Sequence, residues 1–162
     1  MKTTDKYIFF WGGPLSQWYS SFFIVDSIEY NSAEQYMMAQ KALYFQDQQS
    51  YNKIMESTTS SEQKTLGRYV KNFKADQWSL VSRDIVYQGN LAKFSQNTRL
   101  KEMLLKTETK ELVETSPYDR IWGIGLKFDD PKCLDKSQWR GSNWLGEVLA
   151  KVRDTLQEDS NG

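Results

Sequence analysis

A chain of 162 residues with 21 Lys and Arg against 21 Asp and Glu is long enough for one cored domain and carries no net charge. It therefore lacks the global basic field that draws a protein to nucleic acid by phosphate neutralisation. With no histidine and a single cysteine, Cys133, it excludes Ser-His-Asp and Cys-His catalysis, imidazole metal sites, an internal disulfide and multi-cysteine zinc.

Acid–base work falls to Asp, Glu, Lys, Tyr or Cys. No metal ligand cluster is apparent and no cofactor is expected. The absence of a long apolar run and of a leader pattern predicts a soluble, cytoplasmic protein with no membrane partner. The many aromatics include six Trp, some of them beside charged or Gly-rich sequence where they could stack on a base.

In chain order, Tyr7 to Trp11 has strand character and stops at Gly12-Gly13-Pro14. Phe22 to Val25 and Ser27 to Tyr30 read as a short hairpin turning near Asp26. The next stretch, Asn31 to Phe45, contains no Gly or Pro and reads as a helix capped by Asn31. At about 100° per residue, Glu34, Met37, Met38, Lys41 and Phe45 share one stripe, which should face inward although it holds two opposite charges. Seven residues apart, Glu34 and Lys41 stand about 10 Å from each other along the axis, at about 1.5 Å per residue. That spacing suits groups flanking a ligand better than a surface pair three or four apart. The competing reading makes Glu34 the third residue of a capping box on Asn31 and Lys41 a surface lysine with its stem on apolar groups.

Beyond a polar stretch near Asp47, helical pieces are expected at about 51–56 and 62–70, with Gly67 allowing close backbone approach ahead of Arg68. A longer helix from Asp76 to about Phe94 shows Trp78, Val81 and Ile85 on one face, leaves Arg83 and Lys93 off it, and meets a possible break at Gly89. A short helix over 97–106 and a brief strand or helix end at Glu111 to Glu114 follow. The dense stretch Ser116 to Leu126 sets Asp119, Trp122, Gly123 and Gly125 close together: either a core Trp with glycines at tight turns, or a carboxylate and a stacking face beside backbone donors. Its Gly spacing is not a dinucleotide fingerprint. Lys127 to Gln138 reads as an exposed insertion. The last helix carries Leu145, Val148, Leu149, Val152 and Leu156 on its core face, with Ser142 or Asn143 as N-cap and a tail over 158–162.

These pieces resemble the YbiA/NADAR family, named for its link to NAD and ADP-ribose. The matching residues are Ser32 to Tyr36, Gln40-Lys41, Gly67-Arg68, Trp78, Arg83 and Lys93-Phe94. They continue through Leu104-Leu105, Thr107, Leu112 to Glu114, Asp119, Trp122-Gly123, Gly125, Gly141 to Asn143, Leu145-Gly146 and Arg153. The likeness covers about residues 8 to 156. Leu15-Ser-Gln17 replaces a usual Ser-Asn, and the segment 127–138 is longer than in compact members.

The resemblance implies a single, predominantly helical α+β domain over 1–157 with a small antiparallel β element. It also implies N-glycosidase chemistry on an ADP-ribosyl or phosphoribosyl substrate: ADP-ribosylated guanine, free or within nucleic acid, or a phosphoribosyl-amine intermediate of riboflavin synthesis. Glu34 and Asp119 are then the carboxylates that stabilise the sugar cation and move the proton, and Lys41 either attacks C1 to form a Schiff base or only pairs with a carboxylate. Arg68, Arg83 and Lys93 are phosphate contacts, Trp78 and Trp122 stack on the base, and Gly123 and Asn143 line the substrate. The site is expected between the first helix and the Asp119–Gly125 loop, and no obligate protein partner is expected. A rival, the non-catalytic ADP-ribose or NAD-binding module, needs the arginines and tryptophans but not Glu34 and Lys41 together. A third reading, a partner-binding scaffold, binds no nucleotide.

Overall fold

The computed structural model describes residues 1–161. Its elements are β1 (Lys2–Thr3), β2 (Tyr7–Phe10), β3 (Ser20–Val25), β4 (Ile28–Ser32), α1 (Ala33–Tyr44), α2 (Gln48–Glu56), α3 (Ser60–Arg68), α4 (Ala75–Gln96), α5 (Thr98–Leu105), β5 (Glu111–Glu114) and α6 (Trp144–Asn161). Two short 3-10 turns lie between β5 and α6. The fold is α+β and mainly helical, as the sequence predicts. Among the described residues no helix is long and apolar enough to cross a membrane.

The chain divides into two compact units. One comprises Met1–Ser16 with Thr98–Gly162, the other Gln17–Asn97. In the first, β2 lies between β1, antiparallel to it, and β5, parallel to it, with Tyr7 opposite Glu111 and Phe10 opposite Glu114. Helix α6 covers this sheet and buries the expected Leu145, Val148, Leu149, Val152 and Leu156. Gly146 brings it close: a Cβ there would collide with the Leu112 carbonyl and the Asn143 amide. The helix runs on to Asn161, into the stretch expected to be tail, while Gly162 lies outside the described residues.

The segment 127–138 is not simply an exposed insertion. Cys133 is buried with Phe9, Val113, Ile124 and Leu126, and Tyr7 and Trp139 pack on that cluster. Asp130 and Asp135 cap its two turns, so local polar caps let one apolar side chain drop into the core.

In the second unit, β3 and β4 form the antiparallel hairpin. Asp26 and Ser27 both sit at positive φ, as a tight two-residue turn between right-twisted strands demands. The outer edge of β3 is closed by a side chain: the Gln96 amide accepts from the Ile24 N–H at 2.8 Å and donates to its carbonyl at 2.7 Å. Helix α1 is buried nearly all round over its first two turns, against α2, α3 and α4. A Cβ at Gly67 would collide with Met38, and one at Gly89 would meet the Tyr36 ring at 2.5 Å.

Gly89 therefore does not break α4. Its lack of a side chain seats Tyr36, and the buried face becomes Trp78, Ser82, Val86, Gly89, Asn90 and Lys93, rather than the Trp78, Val81, Ile85 face expected from apolar periodicity. Lys93, expected off the inner face, lies on it.

Candidate active site

The site's geometry starts at the N-terminus of α1. Ser32, not Asn31, is the N-cap, and its Oγ accepts from the Gln35 N–H at 3.0 Å. Gln35 reaches back to accept from the Asn31 N–H at 2.7 Å and donates to the Ile54 carbonyl at 3.0 Å. Gln63 completes the arrangement by bonding Ser32 and Asn31. The cap therefore belongs to Ser32 and Gln35, with Gln35 reaching the N–H of Asn31, one residue before the N-cap, in a variant of the capping box. Glu34 sits one position earlier than Gln35, at the second residue of α1.

Glu34 is 7 % exposed, and its backbone N–H donates to the Gln17 carbonyl at 2.9 Å. Two turns along the same helix, Lys41 is half-buried, with its Nζ 4.3 Å from the Phe73 ring centre. Burial holds the Lys41 ammonium below the usual lysine range. The Glu34 charge pulls it back up, and Arg68 lowers it further. The Lys41 amine thus feels both the Glu34 carboxylate and the exposed Arg68.

Lys93 differs from the expected phosphate contact. It is 0 % exposed, with Nζ 5.6 Å from the Tyr19 ring centre and 4.8 Å from that of Phe94, and burial brings it down to about 7. One turn earlier on α4, Asn90 donates to Gln17 Oε1 at 2.6 Å and to the Val86 carbonyl at 2.9 Å. Gln17 therefore joins the backbone of Glu34 to the buried polar face of α4. Gln17 stands out in the sequence only as a departure from the family's usual Ser-Asn and Asn90 carries no motif, so only the packing makes them neighbours. Trp78 is buried beside the Tyr44 and Phe45 rings, each 6.4 Å away, and Arg83 is exposed on α4.

The remaining expected residues belong to the other unit. Asp119 Oδ1 accepts from the Ile121 and Trp122 N–H groups at 2.9 and 2.8 Å, which folds the 119–122 loop around its own carboxylate. Trp122 is half-buried, edge-on to Trp144 at 5.7 Å. Gly123 is buried, and its carbonyl accepts from Asn143 N–H at 3.1 Å.

Asn143, expected as an α6 cap or an oxygen-binding group, stands at φ 52° and turns its amide to β5. It accepts from the Glu114 N–H at 3.0 Å and donates to the Leu112 carbonyl at 2.9 Å. Both ends of that amide are occupied by strand backbone, so its side chain holds the helix start to the sheet. Neither Ser142 nor Asn143 caps α6 through a side-chain bond. Arg153, buried on α6, donates to Thr107 Oγ1 at 2.9 Å and the Lys110 carbonyl at 2.8 Å.

The NADAR domain model matches residues 9–157. The N-glycosidase R617 of Acanthamoeba polyphaga mimivirus is 44 % identical over 96 % of this chain and 99 % of its own length. A riboflavin biosynthesis protein of Vibrio vulnificus is 30 % identical over 90 % of this chain, which corresponds to 36 % of that protein. The NMR structure of the E. coli protein YbiA superposes with a TM-score of 0.80 at 25 % identity, covering 99 % of this chain and 90 % of that one.

Proposed function

Because the chain belongs to the NADAR domain family, we propose that it is a hydrolase of N-glycosyl bonds whose substrate is an ADP-ribosyl or phosphoribosyl nucleotide-like compound. One observation carries the mechanism: with the cap supplied by Ser32 and Gln35, α1 presents a buried carboxylate and a desolvated amine, electrostatically coupled, on one helix face.

Breaking the bond between the sugar C1 and a base nitrogen leaves positive charge on C1 and the ring oxygen. The bonding electrons depart with the base. Glu34, held at low exposure, stabilises that cation more than water would, because the local dielectric is low. The base leaves more readily with a proton. A lysine held below its usual range surrenders one more easily than an exposed lysine does, which fits Lys41 as proton donor. Water then adds to C1, and its proton restores the amine.

The same lowered affinity for protons leaves more neutral amine, so Lys41 also suits direct attack on C1 with a Schiff base to the opened sugar. Arg68, exposed and electrostatically linked to Lys41, is suited to a substrate phosphate. Two substrate branches are compared: a phosphoribosyl-amine, in keeping with a Vibrio vulnificus relative named for riboflavin biosynthesis, and an ADP-ribosylated guanine.

The test is product analysis by mass spectrometry with ADP-ribosylated guanosine and with phosphoribosylamino-pyrimidines, for the parent, Glu34→Gln and Lys41→Met. Borohydride is added in a parallel set to trap any imine. Base release by the parent, lost in both variants, supports the reading. A mass adduct on Lys41 after reduction selects the Schiff-base route. Intact substrates with a folded parent, or full activity in Glu34→Gln, would overturn it.

A further inference from the structure

The start of α1 is held from two sides. The first N–H groups of a helix have no partner inside it, so each must find one elsewhere. The Gln35 N–H donates to Ser32 Oγ, within the network that ties α1 to α2 and α3. The Glu34 N–H donates instead to a loop carbonyl, that of Gln17, at 2.9 Å. The buried Glu34 side chain springs from between these two bonds, so the place of its carboxylate depends on where a loop residue stands.

Residues 17–19 lie outside every helix and strand. Gln17 is anchored by its own side chain, which is buried. Its Oε1 accepts from Asn90 Nδ2 at 2.6 Å, and its Nε2 donates to Met37 Sδ at 3.7 Å. One loop residue thus meets two successive turns of α1, at Glu34 and Met37, and the inner face of α4 at Asn90. The amide orientations are dictated by α4. Asn90 Nδ2 also donates to the Val86 carbonyl at 2.9 Å, so turning the Asn90 amide over would set its oxygen against two acceptors. Gln17 must then offer its oxygen to Asn90 and its amino group to Met37.

The anchor carries a stability penalty. Asn90 has no solvent exposure, and its Oδ1 has no hydrogen-bond partner among the described residues. A buried acceptor left open destabilises a fold, and an apolar residue at position 90 would leave none open. Gln17 is also this chain's own solution, standing where the family usually has Asn.

We propose that Gln17 and Asn90 are a pair of positioning residues, which align the Glu34 carboxylate with the sugar cation by locking the loop carbonyl that holds its backbone. The inference rests on the reading of Glu34 as the group that stabilises that cation. Such stabilisation needs a charge fixed where positive charge develops, so a loss of alignment lowers turnover more than it lowers binding. Asn at position 17 is shorter by one carbon, about 1.5 Å, and falls short of Asn90. Gln at position 90 is longer by the same amount and restores the reach.

The test compares the parent with Gln17→Asn, Asn90→Gln and the two together. Amide hydrogen exchange followed by 15N NMR reads the Glu34 N–H and needs no substrate. Base release from ADP-ribosylated guanosine and from phosphoribosylamino-pyrimidines reads kcat and KM, well below the circular-dichroism melt of every variant. Each single change should speed Glu34 exchange about 10-fold and lower kcat about 10-fold, with KM within about twofold. The double change should bring both back to within about threefold of the parent. A pair that served stability alone would lower the melts and leave kcat unmoved.

With an active parent, single variants that leave Glu34 exchange or kcat unchanged, or that raise KM in place of lowering kcat, would overturn the inference alone. Failure of the double variant to recover would do the same. A parent that releases no base from either compound would overturn the glycosidase reading, and this inference with it.

Discussion

Replacing Lys93 by Met removes an ammonium from a site with no solvent exposure and keeps a chain of similar length. Burial lowers this lysine from 10.5 to about 7. Below pH 7 it is protonated in folded and unfolded chains alike, so its contribution does not change with pH there. Between 7 and 10.5 the unfolded chain holds more protons, so stability rises with pH, and above 10.5 the gain is complete. At about 1.4 kcal/mol per pH unit the full span is worth about 5 kcal/mol, an upper bound for a group with neighbouring rings.

From pH 6.5 to 8.5 a single group titrating near 7 stabilises the parent by about 2 kcal/mol, or about 6 °C in Tm for a chain of this length. The absence of histidine leaves this window unusually clear. Urea unfolding at several pH values, with Lys41→Met as a control for the other lowered lysine, measures it. Lys93→Met should lose the slope. A parent that is flat across the window, or a slope that persists in Lys93→Met, would refute a desolvated Lys93.

The remaining predictions separate structure from chemistry. Gln35→Ala, which takes the acceptor from the part-buried Asn31 N–H and removes the amide that braces α1 on α2, should cost about 2 kcal/mol and lower Tm by about 6 °C. Glu34→Gln should leave Tm within about 2 °C and abolish base release. Equal losses of stability in the two variants would return Glu34 to a capping role. Asp47 accepts from the Lys71 N–H and from Ser50 N–H and Oγ, which lowers its carboxyl from 3.8 to about 2. Its contribution is present above pH 3.8 and fades as pH falls through about 2, so Asp47→Asn should flatten acid unfolding in that range. Gly146→Ala drives a methyl into the Leu112 carbonyl and should cost about 1–3 kcal/mol, read as a lower urea midpoint with an unchanged m-value.

The sequence alone determined what depends on neighbours a few residues away. The α6 stripe, the inward stripe of α1 and the hairpin turn at Asp26 were legible because 3.6-residue and two-residue periods report directly on which side is buried. The order of motifs placed the chain among its relatives for the same reason. Other features were decided by partners distant in sequence. β2 pairs in parallel with β5 across about a hundred residues, and nothing local in Glu111 to Glu114 chooses between strand and helix end.

The N-cap moved from Asn31 to Ser32 because Gln63, from α3, and the Ile54 carbonyl, at the end of α2, complete the network around Ser32 and Gln35. Lys93 was turned inward by the contact of Gly89 with Tyr36, and Asn143 was drawn to β5 by two open backbone groups. Periodicity reads hydrophobic faces. It cannot read a polar side chain whose burial is made tolerable only by donors and acceptors that the tertiary fold supplies.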